Sequence, residues 1–313
     1  MIIRPATPQD VPALVALLQA SLGETMLKKT TAIWAYKHEA NPFGRSLVLV
    51  AEAQGQLLGV RAFMKWRWQK GTTEVQAYRA VDTATHPAHQ GQGLFKQLTL
   101  QAVDAVQTAS ECFIFNTPNA QSRPGYLKMG WQVLGKVHLA LVPTLLSTWT
   151  LLHRKAEEVK ESAREEVLDR LCRWHNEQMA AKQVFFTPKT PGYLSWRYAD
   201  NPLQAYHTWV TPHYYVACYV KQHRYFKELR VAEVLGAESP KSQQQLQRDL
   251  IALALRHRCW VLTLADKHLF SFQLYGTFGP QVTCRDLTAS QEVVGHPKKL
   301  AAWQYSLGDL ELF

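Results

Sequence analysis

The sequence predicts an α/β (α+β) protein built as two similar lobes in tandem, and three observations predict it. Strand-patterned and helix-patterned segments alternate along the 313 residues, of which 47% are hydrophobic, enough to fill real cores. The stretch Thr85-His-Pro-Ala-His-Gln-Gly-Gln-Gly-Leu-Phe-Lys-Gln97 reads as a strand running into a glycine-rich turn that opens a helix. Trp34-Ala-Tyr36-Lys-His-Glu-Ala-Asn41-Pro42 is echoed by Trp196-Arg-Tyr198-Ala-Asp-Asn201-Pro202, and strands follow both. The lobes are expected to divide into residues 1–150 and 151–313.

The elements follow in order. Ile2 to Arg4 form a first strand, and Thr7-Pro8 reads as an N-cap followed by proline at the first helical position. Val11, Leu14, Leu17 and Leu18 make that helix's apolar face. Leu47 to Ala53 is a buried strand, Gln54-Gly55 a turn, and Leu57 to Trp68 the antiparallel return. Along the return Val60, Ala62, Met64, Trp66 and Trp68 share one face, while Arg61, Lys65 and Arg67 share the other. That alternation separates rings from charges, so the cluster from Lys65 to Lys70 reads as a two-faced strand rather than a nucleic-acid platform. Glu74 to Thr85 is the strand that delivers the chain to the glycine turn, and the next helix carries Phe95, Leu98, Ala102 and Val106 on its sheet-facing side. An apolar strand from Cys112 to Phe115 leads through an Asn-rich turn to a short helix bearing Tyr126 and Lys128, with Gly130 as its C-cap.

Val137 to Leu152 is nearly uncharged, but Pro143 interrupts it and it falls short of the roughly 20 residues of a spanning helix. It reads as a last strand passing into a connector, with a membrane-surface contact as the alternative. Residues 152–181 are charged and helical in pattern, suiting a linker plus the second lobe's first helix. Further on, Arg230-Val-Ala-Glu233 echoes Arg79-Ala-Val-Asp82, ahead of a helix from about Ser242 to His257 and a strand from Cys259 to Leu264. Gly236-Ala-Glu-Ser-Pro240 has no second glycine and places a carboxylate where a phosphate would sit, so the second lobe is not expected to bind one.

A net charge of +10 favours polyanionic partners: a phosphorylated cofactor, nucleic acid or an anionic membrane face. No nucleic-acid motif is present, and no nucleic-acid partner or transmembrane segment is expected. The start Met1-Ile-Ile-Arg-Pro5 has no basic region followed by an apolar run, so a cytoplasmic location is expected. The five cysteines lack any C-x-x-C spacing and read as reduced core thiols. His86 and His89 have no third ligand in view, so no metal is expected.

The glycine turn carries the chemistry. Backbone N–H groups and the positive end of a helix dipole converge there, and Gly91 and Gly93 let a pyrophosphate approach. Neither a terminal Gly-Lys-Ser/Thr nor a full G-x-G-x-x-G is present, which points to a different phosphate-bearing ligand. Gln90-Gly91-Gln92-Gly93-Leu94-Phe95 and Asn119…Tyr126-Leu-Lys128-Met-Gly130-Trp131 resemble motifs A and B of the GNAT superfamily of acyl-CoA-dependent N-acyltransferases. One departure is visible: Phe95 stands where glycine or alanine is usual.

The resemblance implies two tandem GNAT-like lobes, each a mixed, mostly antiparallel sheet flanked by helices, with the C-terminal lobe degenerate. It also implies acetyl-CoA as co-substrate and a primary amine of a small molecule as acceptor, with an amino sugar or its nucleotide-linked form preferred. Transfer would be direct, in a ternary complex. Coenzyme A would lie on Thr83, Ala84, Thr85, Gln90, Gly91, Gln92, Gly93, Leu94 and Phe95. Asn119 would bond the pantetheine or order its own turn. Tyr126 would protonate the departing sulfur, since a phenol and a thiol are of similar acidity, about 10 and about 8.5 in model peptides. Asp82 is the candidate base, with a satisfied structural carboxylate as the other reading, and His38 and Glu39 are candidates for acceptor contact. The alternative function is an acyl-CoA-binding sensor or scaffold without turnover.

Overall fold

The structure is a computed structural model that describes residues 1–22, 29–107, 112–144, 156–287 and 299–311. Its strands are β1 (Ile2–Pro5), β2 (Leu47–Ala53), β3 (Gln56–Lys70), β4 (Thr73–Thr85), β5 (Cys112–Asn116), β6 (Gln132–Lys136), β7 (Leu139–Pro143), β8 (Phe185–Phe186), β9 (His207–Val210), β10 (Tyr214–Gln222), β11 (Lys227–Gly236), β12 (Val261–Leu264), β13 (Leu274–Gly276) and β14 (Gln281–Asp286). Its helices are α1 (Val11–Leu22), α2 (Thr31–His38), α3 (Leu94–Val106), α4 (Arg123–Lys128), α5 (Glu161–Ala181), α6 (Pro191–Leu194), α7 (Pro240–Arg256) and α8 (Leu307–Leu310).

Two compact units result, with bounds that differ from a single cut at residue 150. The first unit gathers Met1–Trp68, Thr73–Gly135 and Gln281–Lys299, and the second gathers Gln69–Thr72, Lys136–Pro280 and Leu300–Phe313. The physical reason is an exchange of strands. In the first sheet, ordered β1-β2-β3-β4-β5-β14-β6, the strand β14 fills the place between β5 and β6. It pairs antiparallel with β5 from Thr283↔Asn116 to Asp286↔Phe113. Meanwhile β7 joins the second sheet, ordered β13-β7-β12-β11-β10-β9.

Both units are mixed α/β structures in which most strand pairs are antiparallel. Each contains one strand–helix–strand crossover to a parallel neighbour, β4 to β5 through α3 and β11 to β12 through α7. A crossover of this kind is what parallel pairing requires. In the first unit α1 packs Leu14, Leu17 and Leu18 with Val50, Val60 and Ala84 on one sheet face. On the other face α3 packs Leu94, Leu98, Ala102 and Val103 with Leu49, Ala51, Phe63 and Ile114. Helices thus cover both faces. The face of β3 that carries Arg61, Lys65 and Arg67 is not uniform: Arg61 is buried, while Arg67 is exposed.

The second unit's core joins Leu246, Leu250 and Ala254 of α7 to Val216, Leu229, Val231 and Leu262 of the sheet. The charged segment forms α5, and residues 145–155 of the connector, including His153, Arg154 and Lys155, lie outside the described residues. All five cysteines are buried. Burial pushes the Cys112 and Cys172 thiols up to about 12, and raises the other three as well, so none offers a thiolate. Among the described residues no helix is long and apolar enough to cross a membrane.

Candidate functional site

The site is built where β4 leaves its parallel partner. The β4–β5 ladder runs from Gln76↔Cys112 to Arg79↔Phe115 and stops there, while β4 continues to Thr85. From Ala80 onward the edge of β4 that faces β5 lies beyond that ladder. His86 then uses its Nδ1 to accept from the Ala88 N–H at 3.3 Å, which makes it the cap of a short turn. Gly91 and Gly93 follow with φ of +77 and +80, a region that residues with a Cβ rarely adopt. A Cβ built at either would meet nothing within 4 Å, so the space in front of both is open. Gly93 is also the N-cap of α3, and no side chain caps that helix start. The first-turn N–H groups of α3 therefore face outward with the positive end of the helix dipole.

A cavity of about 400 Å³ opens at this point. Thr83, Ala84, Thr85, Gln90, Gly91, Gly93, Leu94 and Phe95 line it, so most of the residues expected to hold coenzyme A converge on one space. His89, Lys96, Ser21 and Leu22 line it too. Sequence reasoning missed Lys96, although a lysine in the first turn of a phosphate-facing helix was a readable signal. Gln92 is exposed but does not line the cavity.

Asn119 and Tyr126 are not on the cavity lining either. The Asn119 carbonyl oxygen accepts from the Ser122 N–H at 2.8 Å and from the Ser122 hydroxyl at 2.9 Å, which orders the turn before α4. Tyr126 is 3% exposed and packs between Phe95, at 5.5 Å and 88°, and Trp131, at 5.1 Å. The Phe95 ring explains the departure from the family pattern. A Cβ at Gly125 would lie 2.9 Å from that ring, so glycine on α4 makes room for the phenylalanine on α3. The Tyr126 hydroxyl accepts from Arg61 Nη1 at 2.8 Å, a partner from the β3 face opposite the tryptophans.

A second set of groups gathers around Asp82. The residue has φ of +41, a left-handed conformation that costs of order 1–2 kcal/mol for a residue with a Cβ. Its Oδ2 accepts from Lys37 Nζ and lies 2.9 Å from His38 Nε2. His38 Nδ1 in turn lies 2.9 Å from the Ser46 hydroxyl. Lys37 and His38 end α2, a helix started by Thr30, whose hydroxyl accepts from the Ile33 N–H at 3.2 Å. Burial alone would push the Asp82 carboxyl up, but Lys37 and His38 outweigh it and hold it well below the usual carboxylate range. Burial also lowers His38, only partly offset by Asp82, so its ring is neutral near pH 7. The tautomer that satisfies both neighbours donates from Nε2 to Asp82 and accepts at Nδ1 from Ser46. Glu39 is exposed and lines a different cavity of about 200 Å³ with Trp34, His38, Arg45 and Ser46. Among the described residues no group of three or more His, Cys, Asp or Glu side chains could hold a metal ion.

Comparison with known proteins agrees with this geometry. Residues 2–134 match the family described as the acetyltransferase (GNAT) domain. No curated protein matches the chain. Among solved structures it is similar to a GCN5-related N-acetyltransferase from Anabaena variabilis, at 14% identity and TM-score 0.64, covering 92% of this chain and 73% of that one. It is also similar to a probable N-acyltransferase from Enterococcus faecalis, at 9% identity and TM-score 0.66, covering 91% and 72%. A Saccharomyces cerevisiae N-myristoyltransferase bound to myristoyl-CoA is similar at 9% identity and TM-score 0.54, covering 90% and 82%. At these identities the structures show a shared fold alone. With the family match over the strand–glycine turn–helix unit and the parted strands behind it, residues 2–134 form a domain of the GNAT superfamily.

Proposed function

We propose that the protein is an acetyl-CoA-dependent N-acetyltransferase acting on a primary amine of a small molecule, with an amino sugar or nucleotide-linked amino sugar as preferred acceptor. The observation that carries this reading is the open cradle at Gly91 and Gly93, set against an uncapped α3 and a cavity of about 400 Å³. Backbone N–H groups there suit a pyrophosphate, and Lys96 adds positive charge to the same wall. The β4 backbone beyond Arg79, where the ladder to β5 has ended, would bond a pantetheine arm and support a carbonyl oxygen as charge builds on it. The first unit would supply catalysis, and the second would be a degenerate lobe with an acceptor-binding or structural role. The buried free thiols suit the cytoplasm.

In this mechanism the ionised Asp82 carboxylate orients the acceptor's ammonium group and passes its proton toward solvent, since a carboxylate held so low stores a proton poorly. The amine nitrogen then attacks the thioester carbon. A C–N bond forms, the C–S bond breaks, Tyr126 gives its hydroxyl proton to the sulfur, and the nitrogen loses its surplus proton to solvent to leave the amide. No cysteine is available as a nucleophile, which suits direct transfer.

A binding-only reading, as an acyl-CoA sensor or scaffold, is favoured by one observation: Tyr126 is 3% exposed and stands off the cavity lining. Coenzyme A release from acetyl-CoA and longer acyl-CoAs across a panel of amines tests both. The transferase reading predicts release with at least one amine and a Tyr126→Phe rate lower by about 100-fold. Binding of coenzyme A with no release would leave the sensor, and no binding at all would end both readings.

A further inference from the structure

Arg61 is an anomaly that packing does not explain. It projects from β3 and is 0% exposed, yet its Nε and Nη2 have no hydrogen-bond partner. Among the described residues no carboxylate pairs with it. Burying a guanidinium this way is costly, and a hydrophobic side chain of similar volume would serve the core better. What surrounds the charge is aromatic. The guanidinium carbon lies 4.8 Å from the Phe63 ring centre, 5.2 Å from Tyr126 and 5.8 Å from Phe95. Its one polar contact is the Nη1 donation to the Tyr126 hydroxyl at 2.8 Å.

We infer that Arg61 is a positioning residue for the proton donor, pinning the Tyr126 hydroxyl as a donor and holding a permanent positive charge beside the oxygen that becomes anionic. The inference rests on the proposed transferase reading and names a further member of the same site. Because Nη1 occupies an acceptor position of the hydroxyl, its single hydrogen is directed elsewhere. The rings hold the cation by π attraction without neutralising it, as a carboxylate would. In the step itself the Tyr126 O–H bond breaks and its proton goes to the thiolate sulfur, which keeps the electron pair of the broken C–S bond. The phenolate left behind meets a charge already in place, so no reorganisation is needed at that moment. Solvent reprotonates it after product leaves. Phe95 joins the pair to the cavity, since it is among the residues that line that space and its ring meets Tyr126 edge-on.

The test compares full-length wild type, Arg61→Met, Arg61→Lys, Tyr126→Phe and the Arg61→Met/Tyr126→Phe double variant, using acetyl-CoA with an amine found by the release screen. Arg61→Met should lower kcat by about 100-fold with the acetyl-CoA KM within about 2-fold. It should also raise Tm by a few degrees, on the order of 2–4 °C, because an unsatisfied buried cation has gone. Arg61→Lys should recover roughly a tenth of the wild-type kcat. The double variant should be about as slow as the slower single variant. The inference is overturned if Arg61→Met leaves kcat within about 2-fold, if it lowers Tm with a rate loss that follows the unfolded fraction, or if its effect multiplies with that of Tyr126→Phe. If wild type releases no coenzyme A with any amine, the transferase reading fails first. If wild type is active and Tyr126→Phe is impaired while Arg61→Met is not, only the role of Arg61 falls.

Discussion

In the first unit the chain leaves β4 through Gly91 and Gly93 and enters α3 with no side chain over the helix start, whereas in the second it leaves β11 through Gly236 and enters α7 under a capping box of Ser239 and Ser242. The Ser239 hydroxyl accepts from the Ser242 N–H at 3.1 Å, so a donor left open in the first unit is consumed by the protein in the second. The glycines differ in the same way. A Cβ at Gly91 or Gly93 meets nothing within 4 Å, while one at Gly236 would sit 2.3 Å from the His213 carbonyl oxygen.

The strand carboxylates diverge as well. The Asp82 side chain is 17% exposed, whereas its sequence counterpart Glu233 is 2% exposed. Lys189 contacts Glu233 at 2.6 Å and Asp309 at 2.8 Å, Tyr198 donates to Glu233 at 3.0 Å, and Tyr193 donates to Asp309 at 2.9 Å. Burial raises the Glu233 carboxyl, while at Asp309 Lys189 overcomes burial and holds it low. One strand–turn–helix plan can thus hold a ligand or merely itself, and the choice lies in who occupies its donors.

The sharpest way to break this comparison is to substitute the glycines. Gly91→Ala with Gly93→Ala should weaken coenzyme A binding by about 100-fold in calorimetry, because each new methyl occupies the phosphate approach, at a fold cost of roughly 1–2 kcal/mol per site. Gly236→Ala should do the reverse, leaving coenzyme A affinity unchanged in folded protein and costing about 3 kcal/mol or more in urea unfolding. Equal effects at the two places would refute the contrast.

The carboxylates give the next largest effect. Asp82→Asn should lower kcat by about 100-fold, and Glu233→Gln should leave kcat/KM unchanged while losing on the order of 3 kcal/mol, since Lys189 stays buried with a weaker partner. Acid gives an effect that is small per pH unit. His175 in the second unit is lowered to about 3 by burial, with the Lys189 charge acting in the same direction. The unfolded chain binds that proton near pH 6.5 and the fold does not, so stability is present above 6.5 and is lost as pH falls. The loss is about 1.4 kcal/mol per pH unit down to about 3, where the folded state also takes the proton. His175→Gln should flatten the urea-stability slope between pH 6 and 4, and His38→Gln should act with the same sign from the first unit. An unchanged slope in both variants would count against buried neutral rings. Smallest are the helix caps. Thr30 accepts from the Ile33 N–H at 3.2 Å and Thr190 from the Tyr193 N–H at 3.1 Å, so each changed to alanine should cost about 1 kcal/mol in urea titrations.

What could be read from sequence was local. The turn at Gly91 and Gly93, the return strand from Leu57 and the helix near Ser242 all follow from spacing between neighbours in the chain. The echo of Trp34–Pro42 in Trp196–Pro202 was legible because the Asn41 and Asn201 side chains do the same local work. Each accepts from the N–H two residues on, at 3.0 Å for Phe43 and 2.9 Å for Leu203. Contacts between distant segments were not legible. Alternation puts Arg61 opposite the tryptophans, but only the helices laid over both faces reveal that this side is dry. His38 and Asp82 each stood out alone, yet their pairing needs α2 to end beside a left-handed residue of β4. The place of β14 between β5 and β6 leaves no mark in periodicity, because nothing in Gln281–Asp286 names its neighbours.

That placement sets a schedule for synthesis. Thr283 meets Asn116, where its hydroxyl donates to the amide oxygen at 2.6 Å across 167 positions of chain. An emerging polypeptide therefore makes its glycine cradle early and waits for β14, 167 positions after Asn116, before the strand behind it can be flanked. Until then the edge of β5 is a hydrogen-bonding template for any extended neighbour, so a prematurely stopped product would be sticky as well as idle.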